Sequence, residues 1–215
     1  MQRNLPNILT LARLGLAAIF FIVLNQYRYQ PDGARQTLIL LSSMGLFTLA
    51  AITDWLDGYL ARRWHVESRF GRIMDPFCDK VLVIGAFIFL TGPRFIIPDK
   101  PPNPLLSLNM VTGVYPWMVV VILARELLVT GIRDEMEGAG VNFGASFWGK
   151  LKMVLQSITV PAVLFVVWLD PVQLRPAAVA RDVLVYATVL VTALSGWPYI
   201  SAAKRAMGNH QALSL

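Results

Sequence analysis

The stretch DWLDGYLARRWHVESRFGRIMDPFCDK, which runs from Asp54 to Lys80, places four aspartates between two long apolar segments. The chain around it has 215 residues, is 56% hydrophobic and only 15% charged, and has a mean hydropathy of +0.57. These values lie outside the usual composition of soluble domains and predict a membrane protein. Four carboxylates so close together are costly in such a chain, so they indicate a function.

Apolar runs on both sides of this stretch, and beyond it, are long enough to cross a hydrocarbon core of about 30 Å, which takes roughly 20 helical residues. Six helices are predicted, at residues 7–26, 36–64, 70–92, 114–137, 146–169 and 177–205. They leave no room for a sizeable soluble domain. The expected fold is therefore one all-α domain over residues 1–215, a polytopic bundle of six transmembrane helices.

The basic residues predict the orientation of this bundle. Most of them lie at the N-terminus, in the second and fourth loops and at the C-terminus. The positive-inside bias therefore predicts that both termini, and with them the stretch from Asp54 to Lys80, face the cytosol. The chain is expected in the inner (plasma) membrane. The net charge of +6 is explained by anionic head groups and phosphate substrates beside the membrane rather than by nucleic acid.

The four aspartates fall into two pairs. Asp54 and Asp57 are three residues apart and share one helix face, and Asp75 and Asp79, four apart, share a face of the next helix. The intervening loop brings the pairs together. One Asp at a bilayer centre costs about 2.5 to 3.5 kcal/mol on insertion scales, so four need compensation. Two divalent metal ions, Mg²⁺ or Mn²⁺, suit such oxygen ligands and are typical of displacement at phosphorus.

Small and basic residues follow the first acid pair. Gly58 and Ala61 lie on or beside its face, where little side-chain bulk lets a ligand approach the backbone. Arg62, one turn further, can hold a phosphate through two hydrogen bonds. Gly71 opens the third helix after a tight return of the chain. Taken singly, Gly58 and Ala61 are also typical of helix packing and Arg62 of a membrane anchor, but four facing carboxylates favour ligand binding.

These residues match the pattern D-x2-D-G-x2-A-R-x8-G-x3-D-x3-D without a departure. Its fixed positions are Asp54, Asp57, Gly58, Ala61, Arg62, Gly71, Asp75 and Asp79. The stretch resembles the signature of the CDP-alcohol phosphatidyltransferases. That resemblance implies a six-helix membrane enzyme, commonly a homodimer, which transfers a phosphatidyl group from a CDP-linked lipid to an alcohol and releases CMP.

The resemblance also implies roles for the signature residues. The four aspartates would bind the two divalent ions, and Asp79 would in addition be the catalytic base. The residues assigned to CDP-diacylglycerol are Asp54, Gly58, Ala61, Arg62, Gly71, Asn7 and Thr10. Asn7 and Thr10 recur with Arg13 at helical spacing beside the membrane, and a capped, lipid-anchored first helix explains them equally well.

Three further segments resemble the phosphatidylglycerolphosphate synthases within this family: NLPNILTLAR, ILARELLVTGIRDEMEGAG and SFWGKLKMVLQ. They imply that the acceptor is sn-glycerol 3-phosphate. The residues assigned to its phosphate are Arg125, Arg133, Lys150 and Lys152. Alternatives stay open for each of two groups: Arg125 can form a structural ion pair with Glu126 or Glu137, and the lysines can be membrane anchors.

Two other functions remain open from the sequence. Within the enzyme class, the acceptor could be inositol phosphate, serine or another alcohol. A divalent-cation transporter would also hold carboxylates in the membrane. It would be expected to distribute acids along a path across the bilayer, whereas here the four aspartates lie toward one face.

Overall fold

The computed structural model describes residues 5–29, 33–64, 69–97, 109–138, 147–169 and 174–204. Its long elements are α1 (Leu5–Leu24), α2 (Ala34–Trp64), α3 (Arg69–Leu90), α4 (Pro116–Gly138), α5 (Phe147–Trp168) and α6 (Arg175–Leu194). The described residues contain no strand, only an isolated antiparallel bridge between Ile96 and Met110. The all-α prediction is therefore confirmed.

The sixth helix is the one that departs from its predicted limits. It stops at Leu194, a turn follows at Ser195 and Gly196, and helical structure resumes over residues 197–204. Pro198 explains where the second segment starts. A proline lacks the N–H needed inside a helix but is well suited to a first turn, where that N–H would have no partner.

Close packing of α1 against α2 and α3 forms much of the core. The rings of Phe20 and Phe47 are both fully buried, with centroids 5.6 Å apart. On α3, Gly85 lies so near the Phe21 ring that a methyl group there would collide with it. The absence of a side chain at Gly85 thus sets the close approach of α1 and α3.

Polar contacts join α5 to α6 inside the bundle. Gln156 donates to the Thr192 hydroxyl at 3.1 Å, and the hydroxyls of Thr159 and Thr188 are 2.7 Å apart. All four residues are buried. Such interhelical bonds are typical of membrane helices, where a buried polar group has no water to replace a lost partner.

The connections at one end of the bundle are held together by Arg181 and a tight turn. Arg181 of α6 donates to the Val111 carbonyl and to Asp182, and Gly113 adopts a φ of 67°. The Thr112 hydroxyl donates to the Leu90 carbonyl at the end of α3 at 2.8 Å. We call residues 109–115, with Arg181 and Asp182, the loop end of the bundle.

Several helices have the length and surface expected in a membrane. The segments Ala34–Asp54, Phe147–Trp168 and Arg175–Lys204 are long and apolar enough to span one, and α1 has a shorter apolar segment, Leu11–Leu24. Large apolar side chains such as Ile22 and Leu38 are exposed on the outside of the bundle. Exposed surface of this kind suits lipid better than water, so the protein is a membrane protein.

The length of α2 determines where its acidic residues fall. With 31 residues it is about 46 Å long, and Asp54 lies about 30 Å along it from Ala34. That distance matches the thickness of a hydrocarbon core. The acidic part of α2 therefore lies at the opposite end of the bundle from the loop end, which we call the aspartate end.

Candidate active site at the aspartate end

Asp54 of α2 is held by an arginine of α1. The Arg13 guanidinium Nη1 lies 2.7 Å from the Asp54 carboxylate, and the Arg13 side chain is 1% exposed whereas that of Asp54 is 34% exposed. The buried cation thus holds the carboxylate, and about a third of the Asp54 side chain stays exposed. In the sequence, helical spacing groups Arg13 with Asn7 and Thr10, but it does not predict this ion pair.

Asp79 of α3 lies where charges from several helices meet. It is within electrostatic range of Asp54, Glu126 and Lys152, and of Arg13. Asp54 and Asp79 are thus like charges on neighbouring helices. A bound cation would relieve their repulsion, and their oxygens are the ligands that Mg²⁺ or Mn²⁺ prefers.

The other signature residues can be followed only through the backbone. Asp57, Gly58, Ala61 and Arg62 belong to α2 and Gly71 and Asp75 to α3, while Asn7 and Thr10 belong to α1. Their side chains lie outside the described residues. Within the described part of the chain, no three potential ligands from His, Cys, Asp and Glu come together. The four-aspartate site therefore stays a prediction.

A buried ion-pair cluster stands beside Asp79. Glu126 of α4 accepts hydrogen bonds from Lys152 of α5 and, at 3.1 Å, from its own neighbour Arg125. All three side chains are less than a tenth exposed. Lys152 is within electrostatic range of Asp79 as well, so the cluster adjoins the aspartates. We call these three residues the Glu126 cluster.

The four predicted phosphate-binding residues are only partly brought together. Arg125 and Lys152 meet at Glu126, whereas Lys150 is exposed near the start of α5. Arg133 contacts Tyr199 in the segment after α6, donating to its hydroxyl at 3.1 Å. The pairing of Arg125 with Glu126 is one of the alternatives left open by the sequence.

Several residues near the site form contacts that the sequence does not predict. The Lys80 ammonium, next to Asp79, donates to the Thr130 hydroxyl of α4 at 2.6 Å. The sequence suggests Glu126 only as a possible ion-pair partner for Arg125. Its position inside a helix, beside a second charged residue, is a signal that a buried pair is present. Nothing in the sequence singles out Thr130 or Tyr199.

An apolar groove opens between α2 and α5, next to Asp54. Its volume is about 560 Å³. It is lined by Met44, Thr48, Ala51, Ile52, Ser157, Ile158, Pro161, Ala162 and Phe165. The α2 lining residues end within one helical turn of Asp54 and extend from it toward the loop end. This α2–α5 groove thus runs from the charged residues into the apolar part of the bundle.

Partly buried carboxylates, a buried cationic cluster and an apolar groove meet at one end of this all-helical membrane bundle, an arrangement suited to binding a charged lipid. The sequence matches the profile of the CDP-alcohol phosphatidyltransferases over residues 3–194. The chain belongs to this family. It is accordingly a transferase of phospholipid biosynthesis.

Curated relatives share most of the length of the chain. A Bacillus subtilis protein named CDP-diacylglycerol–glycerol-3-phosphate 3-phosphatidyltransferase is 36% identical over 202 residues, which cover 92% of this chain and 94% of the relative. Proteins of the same name from Escherichia coli and Rickettsia bellii are 30% and 29% identical. Each alignment covers 95% of this chain, and it covers 97% of the Escherichia coli and 98% of the Rickettsia protein.

Proposed function

We propose that this enzyme transfers the phosphatidyl group of CDP-diacylglycerol to sn-glycerol 3-phosphate. A glycerol oxygen forms a bond to the phosphatidyl phosphorus, the bond from that phosphorus to CMP breaks, and phosphatidylglycerol phosphate is the product. The observation that carries the proposal is the position of Lys152, buried in the Glu126 cluster and within electrostatic range of Asp79. The names of the relatives state the same donor and acceptor.

The acceptor has two ends that need different partners. Its phosphate is proposed to bind the cations of α4 and α5, with Lys152 and Arg125 nearest to Asp79 and with Arg133 and Lys150 further out. Its attacking hydroxyl then lies near Asp79, whose carboxylate accepts the proton as the bond to phosphorus forms. Because Lys152 and Asp79 belong to one continuous charged group, a small acceptor can reach both.

The nucleotide end of the donor is proposed to occupy the signature face of α2 and α3. In this proposal Gly58, Ala61 and Gly71 would leave space for it, Arg62 would pair with a phosphate, and Asn7 and Thr10 of α1 would contribute to nucleotide binding. Asp54, Asp57, Asp75 and Asp79 would hold two divalent metal ions, Mg²⁺ or Mn²⁺. When bound, these ions would supply the positive charge that neutralises the pyrophosphate.

The lipid end of the donor is proposed to enter the α2–α5 groove. The groove is apolar, begins beside Asp54 and has a volume typical of small-molecule sites. An acyl chain in it would extend into the membrane while the phosphate stays at the aspartates. This arrangement explains why the enzyme keeps its charged residues at one end of a long apolar helix.

The bundle is proposed to be a single domain with six membrane-spanning helices and both termini in the cytosol. The enzyme would lie in the inner (plasma) membrane with the aspartate end toward the cytosol, where glycerol 3-phosphate is available, and would form a homodimer. The distribution of basic residues supports this orientation. Labelling of single cysteines introduced near each end, with a membrane-impermeant reagent on sealed vesicles, tests it.

An acceptor panel tests the proposed reaction. Purified enzyme is given radiolabelled CDP-diacylglycerol and Mg²⁺ with glycerol 3-phosphate, serine or inositol phosphate, and the lipid products are separated. We expect CMP release and phosphatidylglycerol phosphate with the first acceptor alone. Product with another acceptor would reassign the substrate, and a lack of CMP release with every acceptor would contradict the transferase reaction itself.

A further inference from the structure

The segment that follows α6 contacts both arginines of α4. The Arg125 Nη2 donates to the Ser195 carbonyl at 3.4 Å, and the Arg133 Nη2 donates to the Tyr199 hydroxyl at 3.1 Å. The Arg133 guanidinium also lies 5.5 Å from the centre of the Tyr199 ring. Ser195 and Tyr199 are buried. We call residues 195–199, which comprise the turn and the first three residues of the helical segment after it, the α6 turn.

Each of the two arginines has a buried N–H group that makes no hydrogen bond to a described residue. The Nε atoms of Arg125 and Arg133 are buried, and neither has a hydrogen-bond partner among the described residues. Arg125 is only 8% exposed as a residue. A buried guanidinium N–H without an acceptor is unfavourable, so each of these two donors is available to a bound anion.

We propose that the α6 turn forms a wall of the acceptor-phosphate pocket and that Tyr199 is a positioning residue acting through Arg133. This inference rests on the proposed function. The Tyr199 hydroxyl and ring fix the Arg133 guanidinium by a hydrogen bond and a cation–π contact. The Ser195 carbonyl holds Arg125 by a hydrogen bond alone, and the remaining N–H groups of both arginines are thereby preorganised for phosphate oxygens.

The location of the turn favours the acceptor phosphate over the donor. The α6 turn contacts α4, and Arg125 of α4 belongs to the Glu126 cluster, which adjoins Asp79 from the side of α4 and α5. The signature residues proposed for the nucleotide lie instead on α2 and α3. The family profile ends at residue 194, so the α6 turn lies beyond the matched region.

The test uses Tyr199→Phe and Tyr199→Leu in the full-length enzyme reconstituted in phospholipid. Tyr199→Phe removes the hydrogen bond and keeps the ring, and we expect the KM for glycerol 3-phosphate to rise roughly two- to tenfold. Tyr199→Leu also removes the ring and should raise it further. The KM for CDP-diacylglycerol should stay within about twofold of the parent value. Tyr186→Phe, at an exposed tyrosine of α6 that contacts Trp117, is the matched control.

Competition by inorganic phosphate distinguishes a change in the phosphate pocket from a general effect on folding. As a competitor of glycerol 3-phosphate, it should lose potency in Tyr199→Phe by the same factor as the acceptor. In an Arg133→Ala background, Tyr199→Phe should cause no further loss, because the two residues act as one unit. An unchanged acceptor KM in Tyr199→Phe, an equal rise of both KM values, or an undiminished effect in the Arg133→Ala background would each overturn the inference.

Calorimetric titration of inorganic phosphate distinguishes failure of this inference from failure of the proposed function. If the parent makes no product from glycerol 3-phosphate but binds phosphate more tightly than Tyr199→Phe does, the pocket stands and the acceptor is a different phosphorylated alcohol. If the parent turns over glycerol 3-phosphate and both proteins bind phosphate equally, the reaction stands and the role of Tyr199 is wrong.

Discussion

At the scale of single residues, Glu126 explains how two cations can be buried side by side. Arg125 and Lys152 are like charges within electrostatic range of each other, and Glu126 bonds to both. Burial of such charges is tolerated only when they are paired and hydrogen-bonded. The Glu126 carboxylate therefore supplies negative charge that Arg125 and Lys152 would otherwise have to obtain entirely from a bound phosphate.

Glu126→Gln should make the stability of the protein depend on phosphate. The amide keeps a hydrogen-bond acceptor but removes the charge, and a loss of roughly 1 to 3 kcal/mol would lower Tm by roughly 3 to 10 °C for a chain of this size. Inorganic phosphate should then raise Tm more in the variant than in the parent, because it replaces the missing counter-charge. Thermal unfolding in detergent, at matched ionic strength, measures both effects.

Glu135→Gln is the matched control for this change, since Glu135 is an exposed acid on the same helix. Its Tm and its response to phosphate should equal those of the parent. Equal stabilisation of Glu126→Gln and parent by phosphate would show that the cluster is purely structural.

Asp79→Asn tests the assignment of the base. Because general-base catalysis is typically worth 10² to 10⁴ in rate, we expect kcat to fall roughly 10²-fold or more while the KM for CDP-diacylglycerol changes much less. Asp57→Asn should weaken donor binding as well, since Asp57 precedes Gly58 directly and lies within five residues of Arg62 on the same helix. Steady-state kinetics of both variants provide the comparison. An equal loss of donor affinity in the two would remove the reason to assign the base to Asp79.

The ion pairs mark the limit of what the sequence predicts about individual residues. Spacing predicts that Asp54 and Asp57 share a face, because both lie on one helix. It does not determine that Arg13 pairs with Asp54 or that Arg125 and Lys152 share Glu126. Those choices depend on which helices pack together, and for Arg125 the sequence offers both Glu126 and Glu137.

At the scale of the helices, hydropathy predicts the limits of a helix well but does not show where a turn interrupts it. The apolar runs predict the limits of α1 to α5 to within two residues, because the length of a membrane helix follows from the bilayer. The predicted α6 extends to residue 205, because residues 195–204 continue the apolar pattern through a turn, although Pro198 indicates an interruption of this helix. That turn carries the contacts to Arg125 and Arg133, so the least predictable part of α6 is the part nearest to the proposed acceptor pocket.

The α2–α5 groove gives a prediction for an element pair. Ala162→Phe adds a ring to its α5 wall, so the KM for a long-chain CDP-diacylglycerol should rise several-fold while the KM for glycerol 3-phosphate stays constant. A short-chain donor, which reaches less far into the groove, should be affected less. Kinetics with donors of two chain lengths measure the difference.

Ala18→Phe makes the same substitution at an exposed position of α1, away from the groove lining, and should leave both KM values unchanged. If long and short donors responded alike to Ala162→Phe, the groove would not hold the acyl chain.

At the scale of the whole molecule, the two ends of the bundle have different tasks. The loop end is tied by Arg181, the Val111 carbonyl and the positive φ of Gly113, whereas the aspartate end holds the charges proposed for chemistry. Changes at the loop end should therefore affect stability and leave substrate binding intact. The overall helical class and the presence of acids at one end are predictable from sequence, but the contacts of the loop end depend on a turn conformation that no periodicity reveals.

Gly113→Ala tests this division. A methyl group there would meet the Asp182 carboxylate and Arg181, and a φ of 67° is itself unfavourable for alanine by about 1 to 2 kcal/mol. We expect a Tm lower by several degrees with both KM values near those of the parent. Gly131→Ala, on α4 with open space around the added methyl group, should be neutral or slightly stabilising. A changed acceptor KM in Gly113→Ala would contradict the separation.

The ion pair between Arg13 and Asp54 also has a consequence for biogenesis. When α1 leaves the ribosome it carries Arg13, a cation that is fully buried in the folded bundle, and the carboxylate that contacts it arrives only with the end of α2. We therefore expect the translocon to release α1 and α2 into lipid as a hairpin. In a cell-free insertion assay, α1 should integrate more efficiently with α2 attached than alone, and Arg13→Leu should abolish that difference.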